Sequence, residues 1–221
     1  MKYKYELHCH TSPVSACSRF EVHSMVDTYI EKGYDGIVIT NHINPQTFAN
    51  QSTSRWKDLI KYYLSDYNEA VAYAAGRLTV LLGLEVRFIE NNNDYLVYGI
   101  DEKFLLKHEH MMHIGHKEFS KLVRKSGFLF FQAHPFRNGM TVTKPELLDG
   151  IEICNAHPRH NSRNEIAELW QKKHNLLCSG GSDAHEPGDV SGGIYTDIEI
   201  KDNKTLVEVL KSGSFEIIRS F

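Results

Sequence analysis

Residues 35–42 read DGIVITNH, and this stretch decides the class of fold. Its apolar run is continuous rather than alternating, as in strands that are buried on both faces of a parallel sheet. A helical spacing of apolar residues precedes it over 21–31 and stops at Gly33, and a long amphipathic stretch follows over 55–75 and stops at Gly76. The pattern predicts a buried strand packed between helices.

The rest of the chain repeats this alternation. Strands are predicted at 3–9, 78–88, 94–100, 128–132, 151–154, 176–179, 195–200 and 216–218, and helices at 119–125, 162–174 and 205–211. Such alternation predicts a mostly parallel sheet covered by helices, which is either closed as a barrel or open and doubly wound. The sequence contains no internal repeat or linker, so we expect a single domain over residues 1–221.

Composition excludes several classes of protein. The chain has 221 residues, of which 24% are charged and 41% hydrophobic, as in ordinary globular proteins rather than disordered or fibrous ones. No apolar run approaches the roughly 18 residues that cross a bilayer, and the net charge of −3 gives no reason to expect a stable nucleic-acid complex. The four cysteines form no CxxC pair and no secretion signal opens the sequence, so we expect reduced thiols and a cytoplasmic protein.

Metal-binding side chains follow the predicted strands. Thirteen histidines are the unusual feature of the composition, and several stand at strand ends with carboxylates: His8, His10, His42, Glu85, His134, Asp183 and His185. The carboxyl ends of parallel strands share one face of a barrel, where active sites are built. Residues two apart in a strand point the same way, so His8 and His10 can bind one ion together. Imidazole and carboxylate ligands suit Zn²⁺, Mn²⁺ or Fe²⁺.

The remaining histidines do not follow this pattern. One polar segment holds four of them: His108, His110, His113 and His116. We expect a solvated loop there, and a lid ligand or an adventitious metal site is the alternative. His23 and His174 are expected on helix surfaces. His157 and His160 flank Arg159 just after the strand at 151–154, which predicts that they lie on the metal-bearing face.

Five short motifs, in this order, resemble the PHP (polymerase and histidinol phosphatase) superfamily. They correspond to the family's HxHT, TDH, GxE, AHP and SDAH motifs and span nearly the whole chain: His8-Cys9-His10-Thr11, Thr40-Asn41-His42, Gly83-Leu84-Glu85, Ala133-His134-Pro135 and Ser182-Asp183-Ala184-His185. The resemblance implies an α/β fold, a distorted (β/α)7 TIM-like barrel with mostly parallel strands. It also implies two or three divalent metal ions at the C-terminal face and a metal-dependent phosphoesterase activity.

The resemblance further implies a ligand set for the first two ions. One ion would be held by four residues: His8, His10, Glu85 and Asp183. A second would be held by Glu85 and His134, with Asp94 at the position where short members of the family often have a histidine.

This sequence departs from the family at the residues that would hold the third ion. It would be held by His42, His185 and an acidic residue or histidine a few positions after HxHT, and this chain has Ala16 in that place. The adjacent Cys17 could substitute as a thiolate, or it could be an ordinary buried thiol. Asn41 likewise replaces the acid of the TDH motif.

The chemistry expected from these residues is hydrolysis of a small phosphate ester, either a phosphomonoester or a nucleotide-like compound, by a hydroxide that the bound metals activate. Arg137 and Arg159, with His160 beside them, are the candidates to hold the phosphate, since a guanidinium can make bidentate hydrogen bonds to it. The catalytic candidates are Asp183, His42 and His185. Either histidine would protonate the leaving alkoxide unless it is bound to the third metal.

Three other functions remain open at this stage. A nuclease or phosphodiesterase acting on short oligonucleotides is one, although a basic groove for a strand is lacking. An amidohydrolase-type barrel usually carries a carbamylated lysine, and no lysine here ends a predicted strand in a suitable position. The third is a non-catalytic metal-binding module, which the substitution at Ala16 keeps open.

Overall fold

The computed structural model describes residues 2–109 and 111–219. Its strands are β1 (Tyr3–Cys9), β2 (Gly36–Ile39), β3 (His42–Ile43), β4 (Thr79–Leu82), β5 (Leu84–Arg87), β6 (Asp94–Tyr98), β7 (Leu129–Gln132), β8 (Gly150–Asn155), β9 (Leu177–Gly181), β10 (Ile194–Thr196) and β11 (Glu216–Ile217). Its helices are α1 (Val22–Glu31), α2 (Trp56–Tyr63), α3 (Ser65–Ala74), α4 (Glu102–Lys107), α5 (Gly115–Lys125), α6 (Asn164–His174) and α7 (Asn203–Ser212). Within the described ranges, no helix has both the length and the apolar surface to cross a bilayer.

The strands pair in two sheets that meet at two seams. One sheet has the order β11-β10-β1-β2-β4 and the other the order β3-β5-β6-β7-β8-β9. At one seam the backbone pairing of β2 with β4 continues directly into that of β3 with β5. At the other seam, Asp183 N donates to His8 O (2.7 Å) and His10 N donates to Ala184 O (2.9 Å). The two seams close a ring of seven strand positions, which confirms the distorted α/β barrel that the family resemblance implies.

The direction of β6 differs from that of the other strands in the ring. It runs antiparallel to both β5 and β7, whereas the remaining neighbours in the ring are parallel. An antiparallel strand begins where its neighbours end. Asp94, the first residue of β6, therefore lies at the same barrel end as the last residues of the parallel strands.

Two predicted elements are each divided in the structure. The strand expected over 78–88 is split at Gly83 into β4 and β5. Gly83 lies where a Cβ atom would come within 2.6 Å of Val38 Cγ1, so the close approach to β2 requires a glycine. The helix expected over 55–75 is split at Leu64 into α2 and α3. The break allows the buried carboxylate of Asp66 to turn toward the loop after β1, where it accepts hydrogen bonds from Thr11 Oγ1 (2.8 Å) and Val14 N (3.1 Å).

Apolar side chains fill the barrel beneath its polar end. One buried cluster draws on β1, β2, β4, β6 and β7 and includes Leu7, Val38, Leu81, Leu96 and Phe131. The same cluster takes up the inner face of α7. Burial of each such side chain stabilises the fold by roughly 1.5–3 kcal/mol relative to leaving it exposed to water. The floor of the site is thus a packed core.

Candidate metal centre

All eight residues expected from the sequence to bind metal converge on one end of the barrel. They lie at or just beyond the ends of β1, β7 and β9, on the short strands β3 and β5, and at the start of β6: His8, His10, His42, Glu85, Asp94, His134, Asp183 and His185. Six of them line a cavity of about 620 Å³, and the other two, His8 and His10, lie beside the lining residues Glu85 and Asp183. Six strand positions of the ring therefore contribute side chains to one site, although the residues are scattered from position 8 to position 185 of the chain.

Four of these side chains surround a common point. His8 Nε2 lies 3.3 Å from Glu85 Oε1 and 3.4 Å from Asp183 Oδ1. His10 Nε2 lies 3.3 Å from Glu85 Oε2 and 3.3 Å from the same Asp183 oxygen. Ligand atoms bonded at about 2.0–2.1 Å to a tetrahedral ion are about 3.3–3.4 Å apart. The spacing of these nitrogens and oxygens fits a divalent cation between them.

The same atoms lack other partners. Among the residues that the structure describes, no hydrogen bond reaches the buried atoms His8 Nε2, His10 Nε2, Glu85 Oε1 or Glu85 Oε2. A buried polar atom without a partner costs about 1–3 kcal/mol, and more when it is charged. Such a group of atoms facing one another is what a metal site requires, and a metal ion would satisfy all four.

The protonation states of three of the four side chains suit a metal. Burial acts to raise the pKa of Glu85 and of Asp183, but neighbouring histidines outweigh it and hold both pKa values well below the usual range. Burial, together with nearby imidazoles, lowers the pKa of His10 well below its ordinary value. At neutral pH both carboxylates are ionised and His10 is neutral, which are the forms that bind metals. At His8, burial is outweighed by three carboxylates, led by Glu152, and the pKa is raised.

Two of the ligand residues have a strained backbone. His134 has φ of 27° and Asp183 has φ of 54°, in the left-handed region that non-glycine residues rarely adopt. Hydrogen bonds to neighbouring strands hold both conformations: His134 N donates to Glu152 Oε2 (2.9 Å) and Asp183 N donates to His8 O (2.7 Å). Strain of this kind concentrates at functional sites.

A second group shares Glu85 with the first. His134 Nε2 lies 3.4 Å from Glu85 Oε1 and 3.8 Å from Asp94 Oδ2. Asp94 is not free, because Arg87 donates to both of its oxygens at 2.7 and 2.5 Å. The structure places Asp94 beside His134 as expected, but a guanidinium shares its carboxylate.

A third group lies on the side of the cavity where the sequence lacks the expected acid. The ring of His10 stacks on that of His42 at a centroid distance of 4.5 Å and packs at a tilt against that of His185 at 4.4 Å. Ala16 is exposed, and the neighbouring Cys17 also lines the cavity. Burial acts to raise the pKa of the Cys17 thiol, but hydrogen bonds to His185 and His42 lower it to about 6.

The three residues expected to hold the phosphate all line the cavity, with different partners. Arg137 is mostly buried and donates to Asp183 Oδ2 (2.7 Å) and Asn155 Oδ1 (2.8 Å). Arg159 is half-exposed and is paired with Asp189, which accepts two hydrogen bonds of 2.8 Å, and with Glu186. His160 packs 4.6 Å from the ring of His157, which also lines the cavity.

One important residue was not singled out from the sequence. The buried carboxylate of Glu152 accepts from His8 Nδ1 (2.9 Å), and its second oxygen accepts from His134 N and from Asn155 Nδ2. A carboxylate behind a ligating histidine fixes the tautomer and orientation of its ring. An inward-facing glutamate in the otherwise apolar strand Ile151–Cys154 was the signal that could have identified it.

Asn41 stands at the motif position that is acidic in the family, and it has a structural role. Its amide donates to Thr11 Oγ1 (2.6 Å), and its oxygen accepts from Thr11 N (2.7 Å) and from Ser15 Oγ (3.0 Å). Thr11 in turn donates to Asp66. An amide can both donate and accept, which a carboxylate at this position could not do.

The other histidines lie away from the cluster. His23 pairs with Glu69 and stacks on Tyr73, and His174 packs against Trp170. In the segment 108–116, His108 packs on Phe104 and His116 contacts Glu90, and no described histidine of the segment belongs to a candidate metal group. His110 lies outside the described residues.

Two family models match the chain. The PHP domain model matches residues 6–178, and a PHP-associated model matches residues 161–215. The first covers every candidate ligand except Asp183 and His185, which fall in the range of the second. No curated protein matches the sequence.

Three solved structures share the fold at low sequence identity. A two-domain protein from Bacteroides vulgatus, which contains a predicted PHP-like metal-dependent phosphoesterase, has a TM-score of 0.74 at 18% identity; the match covers 99% of this chain and 65% of that one. This chain thus spans slightly less than two thirds of the Bacteroides protein. A candidate metal-dependent phosphoesterase from Bifidobacterium adolescentis has a TM-score of 0.57 at 15% identity, over 95% of this chain and 96% of that one. An amidohydrolase from Chromobacterium violaceum, with bound sulfate and no metal, has a TM-score of 0.55 at 18% identity, over 98% of both chains.

Proposed function

The chain belongs to the PHP domain family, and from that premise we propose that it hydrolyses a small phosphate ester in the cavity above its histidine and carboxylate cluster. One observation carries the proposal. His8 Nε2 and His10 Nε2 each lie 3.3–3.4 Å from a Glu85 oxygen and from Asp183 Oδ1, next to a cavity that Arg137 also lines. A cation site beside a phosphate-binding cation is the arrangement that phosphoester hydrolysis needs.

The chain offers ligands for two ions that share Glu85. His8, His10, Glu85 and Asp183 would hold the first ion, and His134 with Glu85 and Asp94 would hold the second. Zn²⁺, Mn²⁺ or Fe²⁺ suits such ligands. Metals bound there supply the reaction with a water of lowered pKa and with positive charge beside the phosphoryl oxygens.

The protein's own residues orient the reactants. Glu152 holds Nδ1 of His8, so that Nε2 faces the centre. Arg137, held by Asn155 and paired on one side with Asp183 Oδ2, brings its guanidinium to the wall of the cavity, where a phosphate oxygen would bind. His185 Nδ1 bonds to the carbonyl oxygen of Asp183 (2.8 Å), which leaves Nε2 to give a proton to the leaving oxygen.

The cavity favours a small substrate. Its volume of about 620 Å³ falls within the roughly 300–1,000 Å³ of ordinary small-molecule sites. Arg159, which would extend the positive surface, is already neutralised by Asp189 and Glu186. A strand-tracking nuclease needs a basic groove with stacking aromatics, so we place a phosphomonoester or a nucleotide-like compound ahead of an oligonucleotide.

The experiment compares chromogenic phosphomonoester and phosphodiester substrates. The protein is stripped with chelator and then supplied separately with Mn²⁺, Zn²⁺ or Fe²⁺. We expect metal-dependent turnover of the monoester, abolished by EDTA and by His10→Ala or Asp183→Ala. His23→Ala removes a histidine that lies away from the cluster and serves as the matched control, with turnover unchanged.

Two results would contradict the proposal. Full turnover by metal-free His10→Ala would show that the reaction does not depend on this cluster. No turnover of either substrate with any of the three metals would favour a non-catalytic metal-binding protein. Preferential cleavage of the diester would instead support the alternative of a phosphodiesterase acting on short oligonucleotides.

A further inference from the structure

The outer face of α6 carries an apolar patch that no described residue covers. Leu169 is 68% exposed, more than any other large apolar side chain among the described residues, and Ile166 is 45% exposed. Side chains three apart lie on the same face of a helix, so these two form one patch. The remaining exposed residues of this kind are spread over other helices and loops: Val71, Ile89, Leu106 and Ile198.

The other faces of α6 have partners within the chain. Ala167 is buried in the core on the barrel side of the helix. On one flank, the ring of Trp170 packs edge-on against that of Phe136 at a centroid distance of 6.1 Å. On another, the carboxylate of Glu168 is paired with Arg219 at 2.7 Å. The face that is left without such contacts is the one that carries Ile166 and Leu169.

Charged residues flank this patch in a symmetric order. The exposed residues of α6 are Glu165, Ile166, Leu169, Lys172 and Lys173. They stand four and three positions before Leu169 and three and four positions after it, with the acid on one side and the two lysines on the other. Lys172 is paired with Glu168 of its own helix. Within residues 2–109 and 111–219, neither Glu165 nor Lys173 takes part in an ion pair.

This order of charges is complementary to itself in an antiparallel pair of helices. At an interface with two-fold symmetry the same surface serves both copies, so each contact occurs twice. When two copies of α6 lie antiparallel with Leu169 of each at the centre, Glu165 of one copy lies level with Lys172 and Lys173 of the other. In a parallel pair, by contrast, Glu165 would face Glu165 and the lysines would face lysines. The charges therefore favour the antiparallel pair.

We propose that the outer face of α6 binds a second copy of this chain in an antiparallel, two-fold symmetric pair. Leu169 and Ile166 form the apolar centre of the contact, and Glu165 and the two lysines form ion pairs at both ends. The helix has 11 residues, which at 1.5 Å per residue makes it about 16 Å long. A contact of this length is smaller than the standard interface of about 1,600 Å², so the dimer is weak and depends on protein concentration.

The test measures the molar mass of the full chain by sedimentation equilibrium, at concentrations from about 10 µM to 1 mM. Reducing agent and EDTA are present throughout, so neither disulfides nor metal bridges join the chains. We expect the mass to rise with concentration from that of a monomer toward that of a dimer. Leu169→Glu brings two carboxylates together at the centre and should weaken association at least about tenfold. Val71→Glu, at an exposed apolar residue of α3, is the matched control and should associate as the wild type does.

An exchange of charges tests the antiparallel order. Glu165→Lys makes the charged positions of the face all basic, and the double variant Lys172→Glu/Lys173→Glu makes them all acidic. Each variant alone should be monomeric, because like charges then meet at both ends of the pair. An equimolar mixture of the two restores opposite charges at both ends, and we expect it to form mixed dimers. Circular dichroism checks that each variant keeps the helix content of the wild type.

The measurement needs neither metal nor substrate, so its result is independent of the proposed function. A wild type that stays monomeric at about 1 mM overturns the proposal. A wild-type dimer that Leu169→Glu leaves intact uses another surface, which also overturns it. If the two charge variants are each monomeric and their mixture is monomeric too, the antiparallel pairing is wrong. Recovery of the dimer in the mixture alone supports the proposal.

Discussion

Glu85 connects the parts of the candidate metal centre at the scale of single residues. Its Oε1 faces His8 and His134, and its Oε2 faces His10 and His42. No other described residue approaches four histidines in this way. Since one carboxylate serves neighbouring ligand groups, loss of any member changes the electrostatic environment of the others, and single substitutions are expected to be non-additive.

Glu152 provides a test of positioning without direct contact with an ion. In Glu152→Gln the side chain keeps its size but loses the charge that orients His8 Nδ1. Loss of such a partner typically weakens metal binding by about 10–100-fold, and we expect a loss of that size in a calorimetric titration with Zn²⁺ or Mn²⁺. Glu165→Gln changes an exposed glutamate and should leave the affinity unchanged. An unaltered Kd in Glu152→Gln would show that the hydrogen bond does not orient the ligand.

The sequence predicts these residues unevenly, for physical reasons. His8 and His10 could be paired because side chains two apart in a strand share a face. Glu152 could not be paired with His8, because 144 residues separate them and only the barrel brings them together. The partners of Arg159 could not be predicted from the sequence either, because Asp189 and Glu186 reach it from the loop after β9.

At the scale of elements, the close approach of strands decides which ligands meet. Gly181 lies where a Cβ atom would come within 2.4 Å of His8 Cβ, so glycine lets β9 lie against β1. Gly83 likewise allows the chain after β4 to lie against β2. The strand over 78–88 was predicted as continuous because its composition is apolar throughout, and the bend at Gly83 depends on Val38 and Thr40, which the local pattern does not contain.

Gly83→Ala tests this close approach. The added Cβ would lie 2.6 Å from Val38 Cγ1 and 2.9 Å from Thr40 Cγ2, so side chains at the seam must move. Overpacking of this kind typically costs about 1–3 kcal/mol, and we expect the free energy of unfolding in urea to fall by that amount. Gly188→Ala, with no atom within 4 Å of its added Cβ, is the control. Equal stability of the two variants would mean that the seam tolerates the extra atom.

At the scale of the whole molecule, the candidate ligands come from strands all around the ring. A metal that binds only the folded protein stabilises it by about 2.7 kcal/mol at a free concentration 100 times its Kd. For a chain of this length, each kcal/mol shifts Tm by about 2–4 °C. We therefore expect chelation to lower the Tm of the loaded protein by about 5–10 °C.

Differential scanning calorimetry with and without EDTA measures this shift. His23→Ala should show the full shift, and His10→Ala should lose most of it. A Tm that does not respond to chelation in the wild type would mean that the cluster does not bind metal under those conditions. A shift of the same size in His10→Ala would place the stabilising ion elsewhere.

The alternation of buried strands and helices predicted the α/β class, and the family resemblance, rather than the alternation, predicted that the sheet closes as a barrel. The antiparallel direction of β6 was not predictable from its composition, although it explains why Asp94 opens a strand and still reaches the centre. The motif order predicted which residues converge. The ion pair between Arg87 and Asp94 depends on neighbouring strands and appears only in the folded chain.

The most direct test is anomalous diffraction from crystals grown with Zn²⁺ or Mn²⁺, with data collected on both sides of the metal's absorption edge. A cation site at the end of the barrel predicts a strong peak within bonding distance of His8 Nε2, His10 Nε2, Glu85 and Asp183 Oδ1. Crystals of His10→Ala should show a weaker peak or none. A wild-type map with no peak between these four residues, or with its metal bound only elsewhere, would contradict the account.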